Sequence, residues 1–404
     1  MEKVEIIKMD SKGRGMGRLN DKPIFIFNSL PGEVVEIKNI KERSKYITAE
    51  VSNILNKSLK RINPICPYFG ICGGCDIMHL SDIDQLEFKE KKVKDTILNV
   101  LKEDIKINNV VSNEFYNYRN KAIFKVDKTV GYYGKETHEI VPISKCFLVD
   151  EKINNVLNLI KDNISLDGIK EIMIRTSKNI DETLVLFTLE KNINEDKIKE
   201  VLKDNVTTVV TYLNDYKIVY GNGFIYEKLG DYTYKISPES FFQVNTNGAY
   251  KLYSIVKNYI NKNDNVLDLY CGTGSIGIFI SDKAEKVLGV EINEYAVKDA
   301  LENKKLNHLD NVNFLCLNTS DFSQSLNEID VVIVDPPRSG LDKKTVSYLL
   351  KEKVKKVIYV SCDLMTLTRD LGYLKELYKI KEITPVDMFP NTYHVECVCV
   401  LNER

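Results

Sequence analysis

The sequence contains no apolar run approaching the ~20 residues that a membrane helix needs, and no charged-then-apolar leader at its start. Neither membrane insertion nor secretion is expected, and the cytoplasm is the expected compartment. Net charge is also lacking: 57 Lys and Arg stand against 58 Asp and Glu, a formal charge of −1, so nothing about the whole chain announces a polyanionic partner. No internal repeat and no low-complexity segment is present, and 43% hydrophobic residues is an ordinary composition for a folded chain. Nothing calls for an obligate protein partner. At 404 residues the chain is too long for a single core and should hold two to four domains.

Cysteine, by contrast, is plentiful. Nine cysteines without an export signal argue for thiols, metal ligands or catalysis rather than disulfides. Cys66, Cys72 and Cys75 fall within ten residues in the stretch CPYFGICGGC, a C-x5-C-x2-C spacing that puts three thiols in one tight loop. A structural zinc site is one reading, although zinc knuckles usually come as two Cys-x2-Cys pairs. Three clustered thiols and one distant one, with Cys146 the candidate, suit a four-iron cluster. Five residues stand between the first two cysteines where the radical S-adenosylmethionine pattern has three, so that chemistry is not expected.

Charge is local. Residues 1 to 60 carry 12 Lys and Arg against 8 Asp and Glu, with Lys12, Arg14 and Arg18 set among glycines. Short alternating segments there (VEIIKM, PIFIFN, EVVEIKNI, KYITAEVSNIL) predict a small β-barrel able to contact phosphates. Residues 82 to 102 have helical apolar spacing, and 110 to 235 mix strands and helices as in an α+β domain. From about 240 the apolar runs NVLDLY, KVLGVEI, VNFLCL, DVVIVD and KVIYVS are separated by helical lengths, which predicts a doubly wound sheet.

The stretch KVIYVSCD delivers Cys362 to the carboxyl end of one of those strands, where open α/β sheets bind ligands. After the first strand comes Gly272-Thr-Gly274-Ser-Ile-Gly277, with Glu291 nineteen residues beyond Gly272. That pattern alone does not separate a dinucleotide from S-adenosylmethionine. Asp268, Glu291 and Asp335 gather negative charge at the pocket mouth, which would repel a pyrophosphate and attract a sulfonium. Asp335-Pro-Pro-Arg338 is a stiff turn at a strand end. A thiol at Cys362 and a carboxylate at Glu396 would suffice to methylate carbon 5 of a pyrimidine, since a thiolate adding to carbon 6 activates carbon 5 and a base then removes its proton.

Taken together, CPYFGICGGC with Cys146, YRNK at 118 to 121, FFQVN at 241 to 245, LDLYCGTGSIG, VIVDPPRSGL, YVSCD and HVECV make the chain resemble bacterial RNA uracil-5 methyltransferases of the iron–sulfur type, most closely those acting on 23S ribosomal RNA. The resemblance covers almost the whole chain. It implies a TRAM-like, OB-like barrel over residues 1–60 for RNA binding. A central α+β domain over 61–240 would carry a 4Fe-4S cluster on Cys66, Cys72, Cys75 and Cys146. A Rossmann-like S-adenosylmethionine methyltransferase domain over 241–404 would follow, with the 82–102 helix packed on it. It implies donor contacts from Gln243, Tyr270, Glu291 and Asp335, with the Gly272 loop and Asn318 beside them, Cys362 as nucleophile and Glu396 as base. Ser275 departs from the Asn often found in relatives. The tRNA uracil-5 methyltransferases share the catalytic core, but their bacterial members typically lack the barrel and the cluster cysteines. A cytosine-5 enzyme would carry a second cysteine after a proline, which Asp335-Pro-Pro lacks. From another class, an inactive zinc-bearing RNA-binding protein is disfavoured by the intact Cys362, Glu396 and glycine loop.

Overall fold

The computed structural model describes residues 2–319, 322 and 328–404. Alternating β-branched residues near the start turn their apolar sides inward: Val4, Ile6, Ile24, Ile26, Val35, Ile37, Ile47 and Ala49 fill one core. Six strands surround it, Lys3–Glu5, Lys8–Met9, Gly15–Leu19, Lys22–Phe27, Val34–Glu42 and Ile47–Asn56. The first two lie at opposite ends of the strand order yet follow one another directly in the chain, so the sheet curls round on itself as a barrel.

The helix Asp82–Leu101 starts at Ser81, whose hydroxyl accepts from the Asp84 N–H, and stops at Lys102 in the left-handed conformation. Its buried row is Gln85, Lys89, Val93, Ile97 and Leu101, every fourth residue. Val93, Ile97 and Leu101 join the apolar cluster of Leu267, Val332 and Tyr359 from the far end of the chain. Lys89 and Gln85 can be buried because each finds a partner there, Lys89 on the Asp387 carboxylate and Gln85 on both the side-chain oxygen and the backbone N–H of Asn391. Residues after the helix run along the edge of the same C-terminal sheet, with Ile107 and Val111 bridged to Ile383 and Val386.

A second, seven-stranded sheet runs in the order Tyr216–Tyr220, Thr208–Tyr212, Thr183–Leu189, Ile169–Thr176, Lys121–Val126, Val130–Tyr133 and Ile140–Pro142, with the helices Glu151–Asn163 and Glu195–Leu202 contributing to its core. The hairpin of Ile225–Leu229 and Tyr232–Ile236 packs with Val266, Ile276 and Ala300 in a core that also takes in Met173, Leu184, Leu186 and Val210 of the second sheet.

The third sheet has the order Val312–Cys316, Lys286–Glu291, Asn265–Leu269, Val331–Val334, Lys356–Ser361, Glu396–Glu403 and Tyr378–Val386. Its first five strands are parallel and, being covered on both faces, nearly continuous in apolar residues. The last two depart from that pattern. Glu396–Glu403 runs antiparallel to both Lys356–Ser361 and Tyr378–Val386, between which it is inserted. Among the described residues no helix is long and apolar enough to cross a membrane.

Candidate active site

Inserting a strand backwards puts its amino end where its neighbours have their carboxyl ends. Ser361 is registered opposite Cys397, so Cys362 and Glu396 are brought side by side at the mouth of the sheet. Cys362 is half-buried and Glu396 is 5% exposed. Burial, followed by the negative charge of Asp335, pushes the Glu396 carboxyl up to about 8, while Arg338 pulls it down. Burial, then Glu396 and Asp335, raise the Cys362 thiol to about 11, again opposed by Arg338. Asp335 closes the Val331–Val334 strand, and burial takes its carboxyl up to about 7. Three acidic groups thus crowd one another, and the exposed Arg338 on the turn after Asp335 is the cation that relieves two of them.

Beside them lies the glycine loop. The Gly272 N–H donates to Glu291 Oε2 (3.0 Å), and the other oxygen of Glu291 accepts from the Asn293 N–H (2.8 Å), so the carboxylate is held at the end of its strand. A side chain on Gly272 would meet nothing within 4 Å, which leaves room for a ligand. Gly274 serves a different purpose: with φ +76° and the Phe314 ring 2.4 Å from where its Cβ would stand, it is needed for packing. Asp268 was expected at the pocket mouth. It is instead fully buried beneath the loop, accepts from the Gly277 N–H (3.1 Å), and is raised to about 8 by burial first. Tyr270 adopts φ +63° and its hydroxyl donates to Asp342 Oδ2 (3.0 Å). Ser275 Oγ pairs with the hydroxyl of Tyr253 (2.9 Å), a buried tyrosine that no motif announced. Gln243 is 7% exposed on the segment leading into the helix Thr246–Lys257. Asn318 follows Leu317, whose N–H donates to the Glu291 carbonyl (2.8 Å).

Away from these residues, Cys66, Cys72, Cys75 and Cys146 come together along a cleft of about 800 Å³. All four are free thiols. Burial first, and then mutual proximity, push Cys72 up to about 11 and Cys75 further. Among the described residues no three His, Cys, Asp or Glu side chains are grouped to hold a single metal ion. The cleft continues past Arg14, Arg119, Lys121 and Lys135 to Arg338 and His394, with the rings of Phe27, Tyr132, Tyr133 and Tyr393 interleaved. Arg14 lies over the rings of Phe25 (4.6 Å) and Phe27 (5.6 Å), which ties the barrel's basic loop into this wall. Arrays of cations and aromatic faces suit a single-stranded nucleic acid, whose phosphates and bases they match.

The profile of the tRNA (Uracil-5-)-methyltransferase family matches residues 81–404, and that of the TRAM domain matches residues 2–52. The chain belongs to this family. It is an RNA methyltransferase with a TRAM barrel, and S-adenosylmethionine is its methyl donor. An uncharacterized RNA methyltransferase of Clostridium tetani is 36% identical over 98% of this chain and 95% of its own length. One from Staphylococcus aureus is 33% identical over 98% and 97%. The crystal structure of the Pyrococcus abyssi tRNA (uracil-54, C5)-methyltransferase with S-adenosyl-L-homocysteine is 28% identical, covers 99% of this chain and 100% of its own, and superposes with a TM-score of 0.82.

The raised Glu396 carboxyl makes a prediction about stability. A carboxyl held above its unfolded value favours the fold while protonated, and that advantage is lost as pH rises from about 4.3 toward about 8. In urea titrations Glu396→Gln should therefore match the wild type at pH 5 and exceed it by roughly 1–3 kcal/mol at pH 8.5. A difference that stays flat across this range would mean the carboxyl ionises normally in the fold.

Proposed function

We propose that the enzyme methylates carbon 5 of a uridine in RNA, with Cys362 as nucleophile and Glu396 as the base. The observation that carries this reading is the antiparallel register that seats Glu396 beside Cys362. Carbon 5 of uracil is a poor nucleophile. The Cys362 thiol gives its proton to solvent, the thiolate sulfur bonds to carbon 6, and the displaced π-electron pair makes carbon 5 an enolate equivalent. S-adenosylmethionine, held by Gln243, Tyr270, Glu291 and Asp335 around the open face of Gly272, supplies the methyl group when bound. Glu396 then takes the carbon 5 proton, and the electrons of that bond restore the double bond as sulfur leaves. Arg338 offsets the negative charge that both working groups carry in their active forms. The uridine must leave its stack to reach Cys362, at a cost of a few kcal/mol that the basic and aromatic cleft can offset.

Two variants test the roles. Cys362→Ala should abolish methylation, by at least about 10⁴-fold, with S-adenosylhomocysteine affinity unchanged in titration calorimetry. Glu396→Gln should accumulate an RNA–protein adduct that survives denaturing gels. Normal turnover by either variant removes that residue from the reaction.

The RNA proposed as substrate is 23S ribosomal RNA, on the strength of the cysteine loop, barrel and catalytic motifs occurring together. A tRNA is the second reading, favoured by the full-length likeness to the archaeal tRNA (uracil-54, C5)-methyltransferase. Because that structure covers 99% of this chain, the barrel does not separate the two substrates. Mapping of 5-methyluridine in both RNAs from a strain lacking the gene decides between them. Loss from 23S RNA supports the first reading, and loss from tRNA alone replaces it with the second.

The same reading puts a 4Fe-4S cluster on Cys66, Cys72, Cys75 and Cys146. Its support is that four free thiols from two separate segments line the same cleft. A cluster bound there would cross-link the cysteine loop to the segment before the helix Glu151–Asn163, shaping the RNA surface without redox chemistry. Protein purified without oxygen should be brown and contain about four irons per chain, and Cys72→Ser should lose that iron. A colourless protein with stoichiometric zinc would overturn the assignment.

A further inference from the structure

We infer that Arg175 is a positioning residue for the methyl-donor pocket: from the central sheet it fixes the main chain of loop 240–244, which carries Gln243. The inference rests on Gln243 touching the donor, as in the reaction proposed above.

Loop 240–244 has no regular secondary structure, so its carbonyls need partners from elsewhere. All five find one. Arg175 donates to the Ser240 carbonyl and, through its other terminal nitrogen, to that of Phe242, both at 3.3 Å. Asn120 donates its side-chain amide to the Gln243 carbonyl (3.1 Å) and its backbone N–H to that of Val244 (2.7 Å). The Phe241 carbonyl accepts from the hydroxyl of Thr273 (3.3 Å), a residue of the glycine loop itself. Four of the five contacts therefore come from Arg175 and Asn120, and the fifth ties the loop to the donor pocket.

Arg175 is an expensive residue to keep where it is. It is 2% exposed and forms no salt bridge among the described residues, and only the buried carboxylate of Glu227, at longer range, offsets part of its charge. Its neighbour directly across the antiparallel ladder is another cation, Lys121, on the floor of the cleft. Like charges opposed in this way destabilise a sheet. An apolar side chain of similar length would fill the space without a buried charge, but it could not span two carbonyls in a fixed fork. The geometry of the guanidinium is what the position uses. Because Lys121 faces the cleft while Arg175 grips the loop, the two strands join the RNA-facing wall to the donor pocket.

The test uses the full chain. Arg175→Met should weaken S-adenosylhomocysteine binding about tenfold or more in titration calorimetry, and raise the KM for the donor more than it lowers kcat. Arg175→Lys, which keeps one donor, should recover to within about threefold of the wild type. A role in stability alone predicts a lower melting temperature with unchanged donor affinity in both variants, and that result overturns the inference. Should Arg175→Met fail to fold, Asn120→Ala removes a side-chain donor from the same loop and must also weaken donor binding; wild-type affinity in Asn120→Ala would then overturn the inference. Affinity is read without RNA, so a wild-type enzyme that does not methylate uridine would count against the proposed reaction and leave the loop assignment standing.

Discussion

The architecture depends on one reversal. Five parallel strands by themselves present their carboxyl ends to a common edge, and every group there must come from a loop that follows a strand. By inserting Glu396–Glu403 antiparallel between its neighbours, the chain brings the start of a strand to that edge and with it a carboxylate set rigidly by backbone pairing. Ladder hydrogen bonds fix position more tightly than a loop can, and the roles proposed for Cys362 and Glu396 would gain from such fixation.

That placement has an electrostatic cost. Glu396, Asp335 and the Cys362 thiol are all pushed toward their neutral forms by burial, and each negative charge added would make the next harder to form. Arg338 offers partial relief from the cleft side. In the proposed arrangement the positive sulfonium of the methyl donor would match the rest, so that a mouth unfavourable in the free protein becomes complementary when the donor is bound. A pocket tuned in this way gives up stability for differential binding, a trade common at active sites.

Much of this was legible in the sequence, and the parts that were not have physical reasons. The parallel strands announced themselves because burial on both faces leaves uninterrupted apolar runs, and the early helix did so by its row of every fourth residue. Cys362, the glycine loop and Glu291 could be found because they sit at fixed offsets from those runs. Asp268 misled, since a carboxylate just before a glycine loop reads equally well as a pocket group or as a buried anchor, and only the Gly277 contact distinguishes them. The reversed strand was invisible because parallel and antiparallel strands share a period of two. Tyr253 escaped because its partner lies 22 residues away, and Asn120, although part of the quoted YRNK stretch, had no legible role because its partner lies 123 residues on. Arg175 did leave a trace, a single cation inside the apolar run EIMIR, which a reading by hydrophobicity passes over.

The carboxylate's strand is in turn aimed by contacts from distant parts of the chain. Asn391, buried and with φ +67°, accepts the Asp76 and Ile77 N–H groups on its carbonyl, donates its side-chain amide to the Phe115 carbonyl, and pairs twice with Gln85 of the early helix. The Tyr118 hydroxyl reaches the Pro390 carbonyl beside it, and Lys92 reaches that of Tyr393. Asp76 follows Cys75 directly, so the conformation of the cysteine loop determines where Asn391 can stand, and Asn391 lies five residues before Glu396. A residue in the left-handed region, fully buried and satisfied on every polar atom from three separate segments, persists only where its surroundings over-determine it. The cysteine loop is therefore coupled through the backbone to the approach to Glu396, and whatever stiffens the one stiffens the other.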